Sequence, residues 1–179
     1  MNLANFGIRK ATFDDGDKIK TLYQTVTKNP GGIARTSDEI TPGYIDRILT
    51  NSLEKGLIMV SYSKDTHELI GSIHAYKLDP KVFRHILSEL TIVIHPDFQG
   101  MGLGKALFST FLNEIENLYP SILRVELITR ESNHKGLSLY KSLGFIAEGR
   151  FEKRIFPETH ILEADIPMVW FNPNFQPSL

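Results

Sequence analysis

"IHPDFQGMGLGKALF", Ile94 to Phe108, sets three glycines at alternate positions between a β-branched apolar run and a helical pattern. Glycine costs roughly 0.5–1 kcal/mol relative to alanine inside a regular element, so three at one helix entrance answer a local need. A strand that turns sharply into a helix leaves the first N–H groups of that helix unpaired, with the positive end of the helix dipole behind them. Gly100, Gly102 and Gly104 remove the Cβ atoms that would hold a phosphate away from those donors, and Lys105 adds positive charge. A turn that only tightens strand–helix packing has the same local pattern, so the flanking sequence has to decide.

Upstream, "FGIRKAT" reads as a strand, and "DDGDKIKTLYQTVTK" as a helix with Ile19, Leu22, Tyr23 and Val26 at core spacing. Pro30, Gly31 and Gly32 punctuate a loop, and Thr41 before Pro42 predicts the start of a second helix, "PGYIDRILTNSLE". "GLIMVSYS" and "LIGSIHAYK" flank the polar "KDTHE" as a hairpin, and "LSELTIVIH" is a strand running into the glycine turn. Downstream lie a helix, the strand "LRVELIT", the helix "NHKGLSLYKSL", and two strand-like runs, "FIAEGRFEKR" and "HILEADIPMVWF". The order βααβββαβαββ describes an α/β protein: one mixed sheet of about seven strands, with helices on both faces. No repeat or linker divides the chain, so residues 1–179 are expected to form a single domain, with 172–179 a loop-like tail.

The 179 residues carry Lys+Arg 20 against Asp+Glu 21, a formal net charge of -1, which marks neither a nucleic-acid partner nor a membrane surface. Cysteine is absent, so the chain has no thiolate metal ligand, no thiol nucleophile and no disulfide, and no metal is expected. A cytoplasmic, soluble protein is expected, because the N-terminus lacks the apolar core of a signal peptide and no run approaches ~18 apolar residues.

Two phosphate motifs fail here. A Walker A loop needs glycine where Gln99 stands and Ser or Thr where Ala106 stands, and the dinucleotide fingerprint needs its third glycine one residue later than Gly104. The run Gln99-Gly100-Met101-Gly102-Leu103-Gly104 instead resembles motif A, Q-x-x-G-x-G, of the GNAT acetyltransferase superfamily. "NHKGLSLYKSLGF", Asn133 to Phe145, resembles the N-x-x-x-x-x-L-Y-x-x-x-G-F segment of the same superfamily, in the expected order. The ending "AEGRFEKR…EADIPMVWF" looks like the branch of amino-acid, phosphinothricin and ribosomal-protein N-acetyltransferases.

That resemblance implies a GNAT-like acyl-CoA N-acyltransferase fold and an enzyme that moves an acetyl group from acetyl-CoA to a primary amine of a small molecule or peptide. It implies that the backbone of Ile92, Val93 and Ile94 pairs with the pantetheine arm, where the strand splays from its neighbour. It gives Gln99, Gly100, Met101, Gly102, Leu103, Gly104 and Lys105 the pyrophosphate, Asn133 a contact to the pantetheine arm, and Tyr140 the proton for the departing thiolate. Valine at Gly102 is then expected to weaken binding far more than it lowers stability.

Direct attack also needs a group to take the proton of the amine, because an ammonium has no lone pair. Strand alternation places Glu89, Thr91 and Val93 on one face and Leu90, Ile92 and Ile94 on the other, which makes Glu89 a candidate base. His74, sharing a face with Ser72 and Tyr76, is a second candidate, although a hydrogen-bonded structural histidine is the plainer reading. The catalytic glutamate of ribosomal-protein acetyltransferases aligns with Ile128 here, which argues against that substrate. Asp38 and Glu39 lie in the loop expected to border the acceptor. The alternatives are a non-catalytic acyl-CoA-binding module of the same fold and a nucleotide-binding protein with an unrelated glycine turn. The sequence leaves acceptor and oligomeric state open, a homodimer included.

Overall fold

The computed structural model describes residues 5–28, 33–157 and 160–177. Pro30, Gly31 and Gly32, expected to punctuate a loop, lie outside the described residues. The two β-rich runs of the expected hairpin form β2 (Gly56–Ser63) and β3 (Leu69–Tyr76), paired antiparallel with Met59 opposite Ile73. β1 (Phe6–Lys10) adds antiparallel to β2, and β4 (Ile86–Ile94) adds antiparallel to β3.

β5 (Arg124–Arg130) lies parallel to β4, as its helical crossover requires, and β8 (Glu163–Phe171) returns antiparallel beside β5. β6 (Ile146–Ala147) and β7 (Phe151–Ile155) share the outer edge of β8, so the sheet has eight strands in the order β1-β2-β3-β4-β5-β8-β6, with β7 on β8. "FIAEGRFEKR" was expected as one strand and forms two. The cause sits across the ladder at Pro167: its carbonyl accepts from the Glu148 amide at 3.0 Å, but it has no N–H to return. Pairing with β6 therefore ends at Met168, and pairing with β7 resumes at Asp165.

Four helices cover the two faces. α1 (Gly16–Thr27) and α2 (Pro42–Lys55) pack Ile19, Leu22, Tyr23, Val26, Ile45, Ile48 and Leu49 against Ile58, Val60 and Val93. The predicted start of α2 is realised, with the Thr41 hydroxyl accepting from the Tyr44 amide at 3.2 Å and Pro42 in the first position. On the other face, α3 (Leu103–Leu118) presents Leu107, Phe108, Phe111, Leu112 and Ile115, and α4 (His134–Ser142) presents Tyr140. No helix among the described residues is long and apolar enough to cross a membrane.

The alternation expected from Glu89 to Ile94 holds in β4, but the strand is irregular where it begins. Between His74↔Thr91 and Tyr76↔Ser88, three steps along β4 oppose two along β3, so the strand carries a bulge. Glu89 sits in it with φ 56°, a left-handed conformation that only the bulge explains. The extra residue flips the parity of the strand. Leu87 and Leu90 therefore both face the α3 side, whereas simple alternation would have separated them.

Candidate active site

The parallel pair β4–β5 is joined only at Ile86↔Arg124 and Leu87↔Val125. Beyond that point the strands separate, and the sheet is split from the bulge to the glycine turn. The His95 amide donates to the Ile70 carbonyl at 2.9 Å, which sets the antiparallel phase with β3: Val93 and Thr91 turn their backbone groups toward β3, and Ile92 and Ile94 turn theirs into the split. Of the three residues expected to offer backbone to a ligand, Val93 is therefore spent on the sheet, and its side chain is buried against α1 and α2. The Ile94 carbonyl takes the Gln99 side chain at 3.1 Å, which leaves the Ile92 amide and carbonyl and the Ile94 amide facing the gap.

The gap continues into the glycine turn. Gly100 and Gly102 have φ 75° and 82°, and nothing lies within 4 Å of where a Cβ would project from either. Both positions thus require glycine for their conformation, and both leave open space in front of the turn. Gly104 is already helical, and a Cβ there would make an ordinary 3.5 Å contact with Ile94. Among the described residues, none of the backbone amides from Gly100 to Lys105 donates a hydrogen bond, the first return bond of the helix being that from Ala106 to the Gly102 carbonyl at 3.0 Å. The Gln99 amide and carboxamide are both engaged inside the turn, so Gln99 shapes this row of donors without belonging to it. The Leu103 side chain is core, and only its amide faces out; the side chains of Met101 and Lys105 are exposed.

Asn133 caps α4. Its carbonyl oxygen accepts from the Gly136 amide at 3.0 Å, and its Nδ2 donates to the Thr129 hydroxyl on β5 at 3.0 Å. Any Cβ on residue 136 would strike this side chain, which explains the glycine there. Tyr140, 8% exposed, packs its ring against Phe108 and Phe145 at centroid distances of 5.8 and 6.2 Å. Its hydroxyl has no hydrogen-bond partner among the described residues, and burial raises the phenol above its ordinary pKa, so it stays protonated.

A cleft of about 360 Å³ opens where β4 and β5 part, lined by Glu89 and Thr91 on one side and by Glu126, Ile128, Phe151 and Pro167 on the other. A smaller hollow of about 170 Å³ on the α2 side shares Glu89 and Thr91 with it, so Glu89 borders both. Tyr140 lines neither; it lies in the apolar layer on the helix side. Ile128 lines the larger cleft, so the wall is apolar there.

Sequence reasoning passed over Glu126, which accepts from the Ser88 hydroxyl at 3.2 Å and pairs with Arg124 at 2.8 Å. The signal was present: Arg124, Glu126 and Ile128 alternate with the core residues Val125 and Leu127.

His74 is buried and hydrogen-bonded to the Tyr23 hydroxyl at 3.1 Å, and burial lowers its pKa to about 3. So weak a base does not serve an amine, and the plainer structural reading of this histidine holds. Its folded pKa lies below its ordinary 6.5, so the stability it contributes is full above 6.5 and is lost as the pH falls from 6.5 toward 3, where only the unfolded chain takes up the proton. The drop in unfolding free energy between about pH 7.5 and about pH 5, read by denaturant titration, should be smaller in His74→Gln than in wild type. Equal drops would mean that the ring is accessible to protons in the fold.

Comparison with known proteins places this geometry. Residues 21–145 match the profile described as Acetyltransferase (GNAT) family. The ribosomal protein bS18-alanine N-acetyltransferase of Escherichia coli K12 is 36% identical over 77 residues, 41% of this chain and 50% of that protein. The L-amino acid N-acyltransferase MnaT of the same organism is 34% identical over 64 residues, 36% of each chain. The chain thus spans about half the length, or less, of these curated relatives. Among solved structures, yncA of Salmonella typhimurium with its cofactor acetyl-CoA superposes with TM-score 0.81 at 17% identity, covering 97% of this chain and 98% of that one. The ribosomal-protein-S5-alanine acetyltransferase of Vibrio fischeri does so with TM-score 0.79 at 18% identity, covering 99% and 98%. At such identities the structures show a shared fold, and the profile shows the kinship: the chain belongs to the acetyltransferase (GNAT) family.

Proposed function

We propose that this protein is an N-acetyltransferase that uses acetyl-CoA as cosubstrate and a primary amine of a small molecule or peptide as acceptor. The observation that carries the proposal is a run of two sets of backbone groups without partners among the described residues, on either side of one short turn: the open edge of β4 at Ile92 and Ile94, and the six amides of Gly100–Lys105. An extended arm ending in a pyrophosphate fits that run: the strand edge supplies alternating donors and acceptors, and the turn supplies only donors. Gly100, Met101, Gly102, Leu103, Gly104 and Lys105 would hold the phosphates. Asn133 orders the start of α4 beside the arm, and the open space before Gly100 and Gly102 lets the phosphates approach the amides.

Acetyl-CoA supplies an activated thioester carbonyl. The amine nitrogen bonds to that carbon as its bond to sulfur breaks; Glu89, directly or through water, takes the proton lost by nitrogen, and Tyr140 gives one to sulfur. The bulge supports the role of Glu89, because it turns this carboxylate into the border of both clefts. Retained Tyr140, protonated and without a hydrogen-bond partner among the described residues, favours catalysis over mere binding. The bS18 and MnaT relatives act, by their names, on a ribosomal-protein alanine and on L-amino acids, which supports an amino-group acceptor here.

The test is thiol release from acetyl-CoA across amino acids, polyamines, aminoglycosides and peptide N-termini. Release with at least one amine is expected. Coenzyme A binding without release would leave a non-catalytic acyl-CoA module, and protection by ATP in place of coenzyme A would overturn the cradle altogether.

Glu89→Gln keeps the shape of the bulge and removes the base. It should lower turnover by about 10- to 100-fold, most strongly at low pH where the amine is mostly ammonium, with acetyl-CoA affinity intact. A loss equal at every pH would remove Glu89 from proton transfer.

A further inference from the structure

The hollow of about 170 Å³ on the α2 side has an unusual lining: Arg35, Arg47, Tyr44, Tyr76 and His74, with Glu89 and Thr91 at the border with the split. The two guanidinium groups stand 4.4 and 5.6 Å from the centroid of the same Tyr44 ring, which bounds their separation to the sum of those distances. Two like charges held at one ring repel each other unless an anion lies between them. Arg35 has only a long contact with Glu39, 3.8 Å, and Arg47 has no carboxylate partner among the described residues. His74 is neutral at ordinary pH, so Glu89 is the lone negative charge among the lining residues. The hollow therefore has two cations in its wall and a carboxylate at its border with the reaction cleft.

We propose that this hollow is the acceptor subsite and that it takes a free amino acid, with Arg35 and Arg47 binding the carboxylate and Glu89 facing the amine. The inference rests on the acetyl-transfer reading above. A zwitterion matches the lining, ammonium toward Glu89 and carboxylate toward the arginines. A peptide N-terminus does not match it, because its neighbouring carbonyl is an uncharged amide and leaves both cations unpaired. Arginine forks suit this task, since each can grip a carboxylate through two parallel N–H bonds. The volume agrees: at about 170 Å³ the hollow is small, in keeping with an acceptor no larger than an amino acid. The Tyr76 phenol, raised by burial and further by Glu89 and lowered by Arg47, feels both ends of this charge pair, so the two ends share one small space. Arg35 and Arg47 were not singled out in the sequence, because they lie in a loop and on a helix surface that only the fold brings to one ring.

The experiment compares each of the twenty free L-amino acids with its C-terminal amide as acceptor, by initial rates of thiol release. The amine of the amide is less basic and more of it is free at neutral pH, so intrinsic reactivity favours the amide. The expected result is the reverse: kcat/KM for the best amino acid exceeds that of its amide by about 10- to 100-fold, and Arg47→Gln or Arg35→Gln removes most of that ratio. Both arginines are exposed, so neither substitution endangers folding. Amides that match or outrun their acids would overturn the inference and leave acetyl transfer standing. Should no amine be acetylated, calorimetry of the same amino acids on the coenzyme A-loaded wild type and on Arg47→Gln decides: binding that Arg47→Gln weakens sustains the subsite, and no binding overturns it. Failure of coenzyme A itself to bind would count against the acetyl-transfer reading, and calorimetry on the unloaded protein would then judge the subsite by the same two outcomes.

Discussion

Tyr140→Phe should fold as wild type does, bind acetyl-CoA with nearly unchanged affinity, and turn over roughly tens to a hundred times more slowly. The variant keeps the ring and its contacts with Phe108 and Phe145. It removes a hydroxyl that has no partner among the described residues, so no buried group is orphaned and the change in stability should stay within about 0.5 kcal/mol. In the proposed mechanism the loss falls on the proton that the sulfur takes as it leaves. General acid catalysis is typically worth ~10²–10⁴-fold, and a thiolate is a tolerable leaving group unaided, which places the effect at the bottom of that range. The measurement is kcat with an acceptor for which chemistry is rate-limiting, beside acetyl-CoA affinity by calorimetry. Wild-type turnover would leave Tyr140 a core residue and pass the proton to solvent.

Gly102→Val should lose coenzyme A binding by about 100-fold or more, because the side chain would fill the open space before a row of donors whose charge-assisted bonds are each worth about 1.5–3 kcal/mol. The structure adds a cost that the sequence reading did not include. At φ 82° a β-branched residue is strained, so stability should also fall, by about 1–3 kcal/mol. For a chain of this size each kcal/mol lowers Tm by roughly 2–4 °C. Gly104→Ala is the stability control: its φ is helical and its Cβ contact ordinary, so Tm should hold or rise slightly. If Gly102→Val binds coenzyme A as wild type does, the phosphates lie elsewhere.

The order of helices and strands was legible because each element announces itself locally. Ile19, Leu22, Tyr23 and Val26 recur at helical spacing and are all buried on one face of α1. Thr41-Pro42 marks a helix start through groups no more than three residues apart. The glycine turn was legible for the same reason, since a left-handed φ at Gly100 and Gly102 is a property of single residues. Local signals fail where a partner strand decides. The bulge at Glu89 exists because β4 must reconcile two registers with β3, and nothing in "LSELTIVIH" says which residue is extra. Pro167 was visible in the sequence, but that it divides the outer edge of β8 into two strands depends on which side its missing N–H would have faced.

By itself the sequence determined the family motifs, the helices to within a few residues and the glycine turn, because these follow from residue type and short spacing; strand alternation offered Glu89, and the family resemblance offered Tyr140. Tertiary structure alone decided the rest: where along the pair β4 and β5 part, that Ile92 and Ile94 face the opening while Val93 does not, and that Glu126, Arg35 and Arg47 reach the clefts. The physical reason is that a backbone group's direction, a cleft and a charge pair are relations between segments far apart in the chain. They come into being only when burial of the two apolar faces of the sheet fixes the register between those segments.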